Sequence, residues 1–95
     1  MSDDPDDRMI AELRDQVAEV DQAILDAVNR RLELVARLKR EKEERGIGFL
    51  DPDREALLLD QLTRSNRGPL SSQGVEQLLS AVLALTKDEV RRAES

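Results

Sequence analysis

The 95-residue sequence contains no cysteine, histidine, tryptophan or tyrosine. Without cysteine the chain can form no disulfide, and the simplest compartment for it is the cytoplasm. Without histidine or cysteine it has no Ser-His-Asp or Cys-His nucleophile and no metal site ligated by these residues. We therefore expect any catalysis to rely on arginine, lysine, carboxylates, hydroxyls and the backbone.

Aromatic residues and long apolar runs are also scarce. Phe49 is the single aromatic residue, so the core has to be built from Leu, Val, Ile and Ala. No apolar run is long enough to span a membrane, and we expect no signal peptide. No basic stripe carries stacking aromatics for a nucleic acid. We expect neither a membrane nor a nucleic acid as a partner.

Charged residues are abundant, and acidic residues outnumber basic ones. Charged residues make up 38% of the chain and the net charge is −6. Four of the acids lie close to the N-terminus, at Asp3, Asp4, Asp6 and Asp7. We interpret residues 1–7 as a disordered acidic tail and residues 8–92 as a single helical domain, because charges of both signs alternate along the apparent helices.

The spacing of apolar residues predicts an all-α fold with a very long first helix. From about residue 7 to residue 45 apolar residues recur every three or four positions, with no proline or glycine before Gly46. Such a helix measures roughly 57 Å at 1.5 Å per residue. Because the rest of the chain is too short to cover it, we expect it to pack against an antiparallel copy in a homodimer.

Two shorter helices follow. Asp51-Pro52 is a typical N-cap with proline at the first helical position, and this second helix should stop near Ser65. After a turn, Ser71 or Ser72 should cap a third helix.

Arg31 and Lys42 lie eleven positions apart in the first helix. Eleven residues are about three turns, so both cations leave one face, roughly 16 Å apart. That face is otherwise apolar, and cations there require anionic partners. Arg14 lies about 25 Å from Arg31 along the axis and reaches this segment only from an antiparallel second chain. The pattern predicts an anion site shared between two chains.

In order and spacing, these residues resemble the all-helical (AroQ-type) chorismate mutases, which form intertwined dimers of three-helix chains. The resemblance covers nearly everything from Ile10 to Val90. Its local matches are Leu13-Arg14, Val20-Asp21, Ile24-Leu25, Arg30-Arg31, Lys42, Asp51-Pro52-Asp53-Arg54-Glu55 and Gly68-Pro69-Leu70-Ser71. It implies rearrangement of chorismate, a small dianion, to prephenate for phenylalanine and tyrosine biosynthesis, with no cofactor and no metal.

The resemblance also implies which residues hold the two substrate carboxylates. Arg14 of the partner chain, Arg31 and Arg54 would bind them, since a guanidinium can grip a carboxylate with two hydrogen bonds. Thr86 would add a hydroxyl to one carboxylate, where the family usually has serine.

The remaining implied contacts are to the ring hydroxyl and the ether oxygen. Asp51 and Glu55 would engage the hydroxyl. Lys42 would donate to the ether oxygen, where negative charge develops as the bond to the ring breaks. The family's second donor to this oxygen, usually Gln or Glu, aligns with Val90, which has nothing to donate.

Val90 leaves three interpretations open. The enzyme is weak and relies on Lys42 alone, or a shifted third helix brings in Glu89, or the domain is a non-catalytic or partner-activated module that binds chorismate or prephenate. Lys87 also stands where the family often has a small or apolar residue. A same-fold enzyme acting on isochorismate or 4-amino-4-deoxychorismate is a further alternative. Another shikimate-pathway enzyme is the partner we would expect for an activated form.

Overall fold

The computed structural model describes residues 5–94, which form three α-helices and no strand. Helix α1 spans Pro5–Glu44, α2 spans Pro52–Ser65 and α3 spans Ser72–Glu94. The all-α fold with a very long first helix is therefore confirmed. No described helix is both long and apolar enough to cross a membrane.

Helix α1 begins two residues earlier than the sequence pattern predicted. It starts at Pro5 and has Asp6 and Asp7 in its first turn. Proline is favoured at the first helical position, and acids there interact favourably with the positive end of the helix dipole. The helix thus includes three residues of the expected acidic tail. Residues 1–4 of that tail lie outside the described residues, and the 8–92 domain range remains a prediction.

The chain divides into two compact units, one ending at Arg31 and the other beginning at Leu32. In the first unit, α1 has an apolar stripe whose side chains are 47–60% exposed. The stripe consists of Ile10, Leu13, Val17, Val20 and Ile24. Among the described residues of this unit nothing covers the stripe, although its three- and four-residue spacing is typical of a helix face that packs against another element.

In the second unit, α1 ends in a Schellman motif around Gly46. The Gly46 N–H donates to the Glu43 carbonyl at 3.2 Å, and the Ile47 N–H donates to the Lys42 carbonyl at 2.8 Å. Gly46 has φ +70°, the left-handed conformation that this motif requires. The motif fixes the last turn of α1, which carries Lys42.

Helix α2 starts as its sequence predicted. Asp51 is the N-cap, with its Oδ1 accepting from the Arg54 N–H at 3.0 Å, and Pro52 is the first helical residue. The helix ends at Ser65, where the Asn66 N–H donates to the Leu62 carbonyl at 3.0 Å.

Helix α3 packs against α2 and contains the small core of this unit. Ser71 caps it, since its Oγ accepts from the Gly74 N–H at 3.0 Å. Val75, Leu79 and Thr86 are the buried residues of α3, and their spacing of four and seven places them on one face.

Candidate active site

The N-terminus of α2 places three of the candidate residues within one turn. Asp51 uses its side chain to cap the helix, and its backbone carbonyl accepts from the Glu55 N–H at 3.1 Å. Arg54 is exposed in this first turn. A cation there opposes the helix dipole, so helix stability alone does not account for it. Its exposed guanidinium is available to bind an anion.

Glu55 is paired with a residue of another helix. Its Oε1 lies 3.2 Å from Nζ of Lys87 on α3, and the two side chains are 31% and 42% exposed, respectively. The pair therefore joins α2 to α3 at a partly solvated position. Sequence reasoning noted Lys87 as unusual but did not pair it with Glu55.

Lys42 extends towards the loop that follows its own helix. Its Nζ donates to the Phe49 carbonyl at 3.3 Å, and the side chain is half-buried. An ammonium has three donors, so this contact leaves two for other acceptors. The loop thereby orients the Lys42 ammonium without using its full donor capacity.

Thr86 is buried, with 6% of its surface exposed. Its Oγ1 donates to the Val82 carbonyl one turn back, at 2.7 Å. In this orientation the hydroxyl proton is used by the helix backbone. A hydrogen bond from Thr86 to a substrate carboxylate would require the hydroxyl to leave Val82.

Val90 borders an open cleft of about 410 Å³ between the end of α1, the following loop and α3. The other lining residues are Lys39, Phe49, Leu50, Lys87, Arg91 and Glu94. The cleft thus combines an apolar floor with three cations and one carboxylate. Its volume lies within the range of small-molecule sites, about 300–1,000 Å³.

Lys39 and Arg91 are the two cations of this cleft that the sequence analysis did not single out, and Lys39 pairs with two carboxylates. Its Nζ lies 2.7 Å from Glu94 Oε1 and is also paired with Glu43. The hydrogen bond to Glu43, followed by that to Glu94, raises the pKa of the Lys39 ammonium above its ordinary value. The four-residue spacing from Glu43 was visible in the sequence. The pairing with Glu94 depends on where the end of α3 lies relative to Lys39, which the sequence does not give.

Arg14 and Arg31 belong to the first unit, whereas the other candidate residues belong to the second. Arg14 is exposed beside the apolar stripe of α1, where it borders a shallow depression of about 320 Å³ together with Asp21. Arg31 is half-buried at the end of this unit. Among the candidates of the second unit, the structure joins Asp51 with Arg54 through the helix cap and brings Lys87 onto Glu55.

The arrangement suits an organic anion better than a metal. Across the described residues, no group of three or more carboxylates could hold a metal ion. The clefts of the second unit carry ammonium and guanidinium groups over apolar walls. These features describe a small, all-helical protein whose open clefts are lined by cations, apolar side chains and a few carboxylates.

The chain belongs to the chorismate mutase type II family, whose sequence model matches residues 13–90. Two solved structures of a chorismate mutase from Thermus thermophilus, forms I and II, share the fold with a TM-score of 0.80 and 31% identity. The form I match covers 82% of this chain and 98% of that chain. For form II the shares are 84% and 91%.

A curated relative is the T-protein of Enterobacter agglomerans. It is 46% identical over 54 residues, which are 54% of this chain and 14% of that protein. The chain therefore spans only a small part of the length of this relative. The prediction of a chorismate mutase family member from the sequence is confirmed.

Proposed function

We propose that this chain is a chorismate mutase, which rearranges chorismate to prephenate for phenylalanine and tyrosine biosynthesis. The observation that carries the proposal is the extent of the family match. It covers residues 13–90 and so includes every candidate residue from Arg14 to Val90. The reaction is a unimolecular shift of electrons, and the chain offers the cations that bind a dianion and stabilise charge developing in it.

We assign the substrate carboxylates to Arg14, Arg31 and Arg54, with Thr86 as a further donor. Asp51 and Glu55 take the ring hydroxyl. Lys42 donates to the ether oxygen, beside Val90. The role of Lys42 is supported by its hydrogen bond to the Phe49 carbonyl, which orients the ammonium and leaves two of its donors for other acceptors. These donors can stabilise the negative charge that appears only as the ether bond breaks.

The proposed enzyme is an antiparallel homodimer with two shared sites. Its support is the exposed apolar stripe of the first unit, since a helix face this apolar is normally buried against another element. Arg14 borders that stripe. A second chain packed on the stripe therefore also covers Arg14, and we propose that Arg14 enters the site of that second chain.

Val90 favours one second candidate, a non-catalytic or partner-activated module that binds chorismate or prephenate. Valine supplies no hydrogen bond, and losing one preorganised donor typically lowers the rate by about 10²–10³-fold. The cytoplasmic location and an activating enzyme of the same pathway remain predictions.

The loss of chorismate absorbance by the purified protein, with the product identified, tests the proposal. We expect prephenate as the product and strongly reduced turnover in Lys42→Ala. Arg45→Ala is the matched control, because Arg45 is an exposed cation at the same helix end, paired at 3.4 Å with Glu41 on the surface. Absence of turnover, even with a partner enzyme present, would contradict catalysis. Full activity in Lys42→Ala would show that Lys42 is misassigned.

A further inference from the structure

The ion pair between Lys87 and Glu55 differs in kind from most others in the described part of the chain. Pairs such as Arg64 with Asp60 join residues three or four apart on one helix and stabilise that helix slightly. Lys87 and Glu55 instead connect α3 to α2, with Nζ and Oε1 3.2 Å apart. One member of the pair is the residue that we assign to the substrate's ring hydroxyl.

The effect of Lys87 on binding at Glu55 depends on whether the group that Glu55 binds is neutral or cationic. An ionised carboxylate accepts several hydrogen bonds, so a contact with Lys87 leaves room for a neutral hydroxyl donor. A cationic substituent is affected differently, because the nearby ammonium repels it and offsets its attraction to the carboxylate. Lys87 thus penalises a positive charge at this position far more than a neutral one.

We propose that Lys87 determines substrate specificity by neutralising Glu55, so that the site accepts a ring hydroxyl and rejects a ring ammonium. The inference rests on the proposed function and deepens it, because it separates chorismate from 4-amino-4-deoxychorismate, whose ring amine is cationic when protonated. Lys87 is a positioning residue here and acts on the substrate through Glu55.

Solvent limits the size of the effect. The Lys87 side chain is 42% exposed and that of Glu55 is 31% exposed, so water and salt screen the repulsion. For a charge pair in this setting we expect discrimination of about tenfold, well below the value for a buried pair. The effect should weaken as ionic strength rises.

The test compares kcat/KM for the two substrates in the purified dimer of this chain. Where the amino analogue is not turned over, its competitive inhibition constant against chorismate replaces its kcat/KM. In Lys87→Met, preference should shift towards the amino analogue by about tenfold. Lys87→Arg keeps the charge and should keep the wild-type preference. Arg92→Met is the matched control, since Arg92 is an exposed cation further along α3, pairs with Glu89 and lies outside the lining of the cleft.

A second variant keeps the inference testable if Lys87→Met does not fold. Glu55→Gln leaves the Lys87 charge unbalanced, so preference should move in the opposite direction, towards chorismate. If Lys87→Met lowered kcat/KM equally for both substrates, Lys87 would be only a structural contact and the inference would be overturned. The proposed function would still stand as long as the wild type turned over chorismate. A wild type that turns over neither substrate would overturn both.

Discussion

Gly46 and Gly48 lie two residues apart after α1, and they offer a controlled measurement of how firmly the end of that helix is set. An added Cβ meets nothing within 4 Å at either position. Of these two glycines, Gly46 has a positive φ, at +70°, and Gly48 does not. Alanine therefore adds no clash at either site, and the two substitutions differ in backbone conformation alone.

The expected magnitudes follow from two opposing terms. Alanine in the left-handed region costs about 1–2 kcal/mol relative to ordinary backbone. Replacing glycine by alanine also restricts the unfolded chain, which stabilises the folded state by about 0.4–1 kcal/mol. Gly46→Ala carries both terms and should lower the free energy of unfolding by about 1 kcal/mol, whereas Gly48→Ala carries only the second and should raise it. The difference isolates the backbone strain.

Urea unfolding followed by circular dichroism measures both variants, with protomer concentration held constant because the stability of the proposed dimer depends on it. Gly46→Ala should also lower kcat, since the Lys42 carbonyl accepts the Ile47 N–H in the motif that alanine strains. Gly48→Ala should leave kcat unchanged. Equal stabilities for the two variants would refute the assignment of a left-handed cap at Gly46.

Three further tests, one with a matched control, probe other contacts. Ser71→Ala removes the cap of α3 and should lower the free energy of unfolding by about 1 kcal/mol, whereas Ser72→Ala should change it little. Equal effects of the two substitutions in urea titrations would show that Ser71 is not the cap. Lys39→Met removes the pair with Glu94 and should destabilise the fold at neutral pH. Since the Lys39 pKa is raised from its usual 10.5, the wild type should remain more stable than Lys39→Met until the pH rises beyond that value. If this difference in the free energy of unfolding disappeared near neutral pH, the pairing would be contradicted. Val90→Gln supplies a donor and should raise chorismate turnover by up to about a hundredfold; an unchanged rate would show that the register assumed for α3 is wrong.

The helix boundaries were readable from the sequence because local chemistry sets them. Asp51-Pro52 caps α2, Ser71 caps α3 and Gly46 ends α1, each through bonds to residues at most five positions away. The start of α1 was placed two residues late, because acids in a first turn were interpreted as a tail. The family was also recognisable, since its residues recur in order along the chain.

Packing between helices was not readable in the same way. Leu78 and Leu79 both lie in the apolar arc of α3, yet Leu79 is buried and Leu78 is 56% exposed. Helical periodicity cannot separate neighbours within one arc, because only the position of α2 decides which one is covered. The pairing of Lys87 with Glu55 depends on the same packing and was missed for that reason. Arg14's role depends on a second chain and remains a proposal.

Purified heterodimers test whether each proposed site takes residues from two chains. Chains carrying Arg14→Ala and Lys42→Ala are co-expressed with different tags, and the mixed dimer is isolated by two affinity steps. If each site takes Arg14 from one chain and Lys42 from the other, one site of the mixed dimer carries both substitutions. The second site of that dimer then carries neither. We expect about half of the wild-type turnover per dimer, with both parent homodimers nearly inactive. A mixed dimer as inactive as its parents would contradict the shared site, because Arg14 and Lys42 would then act within one chain.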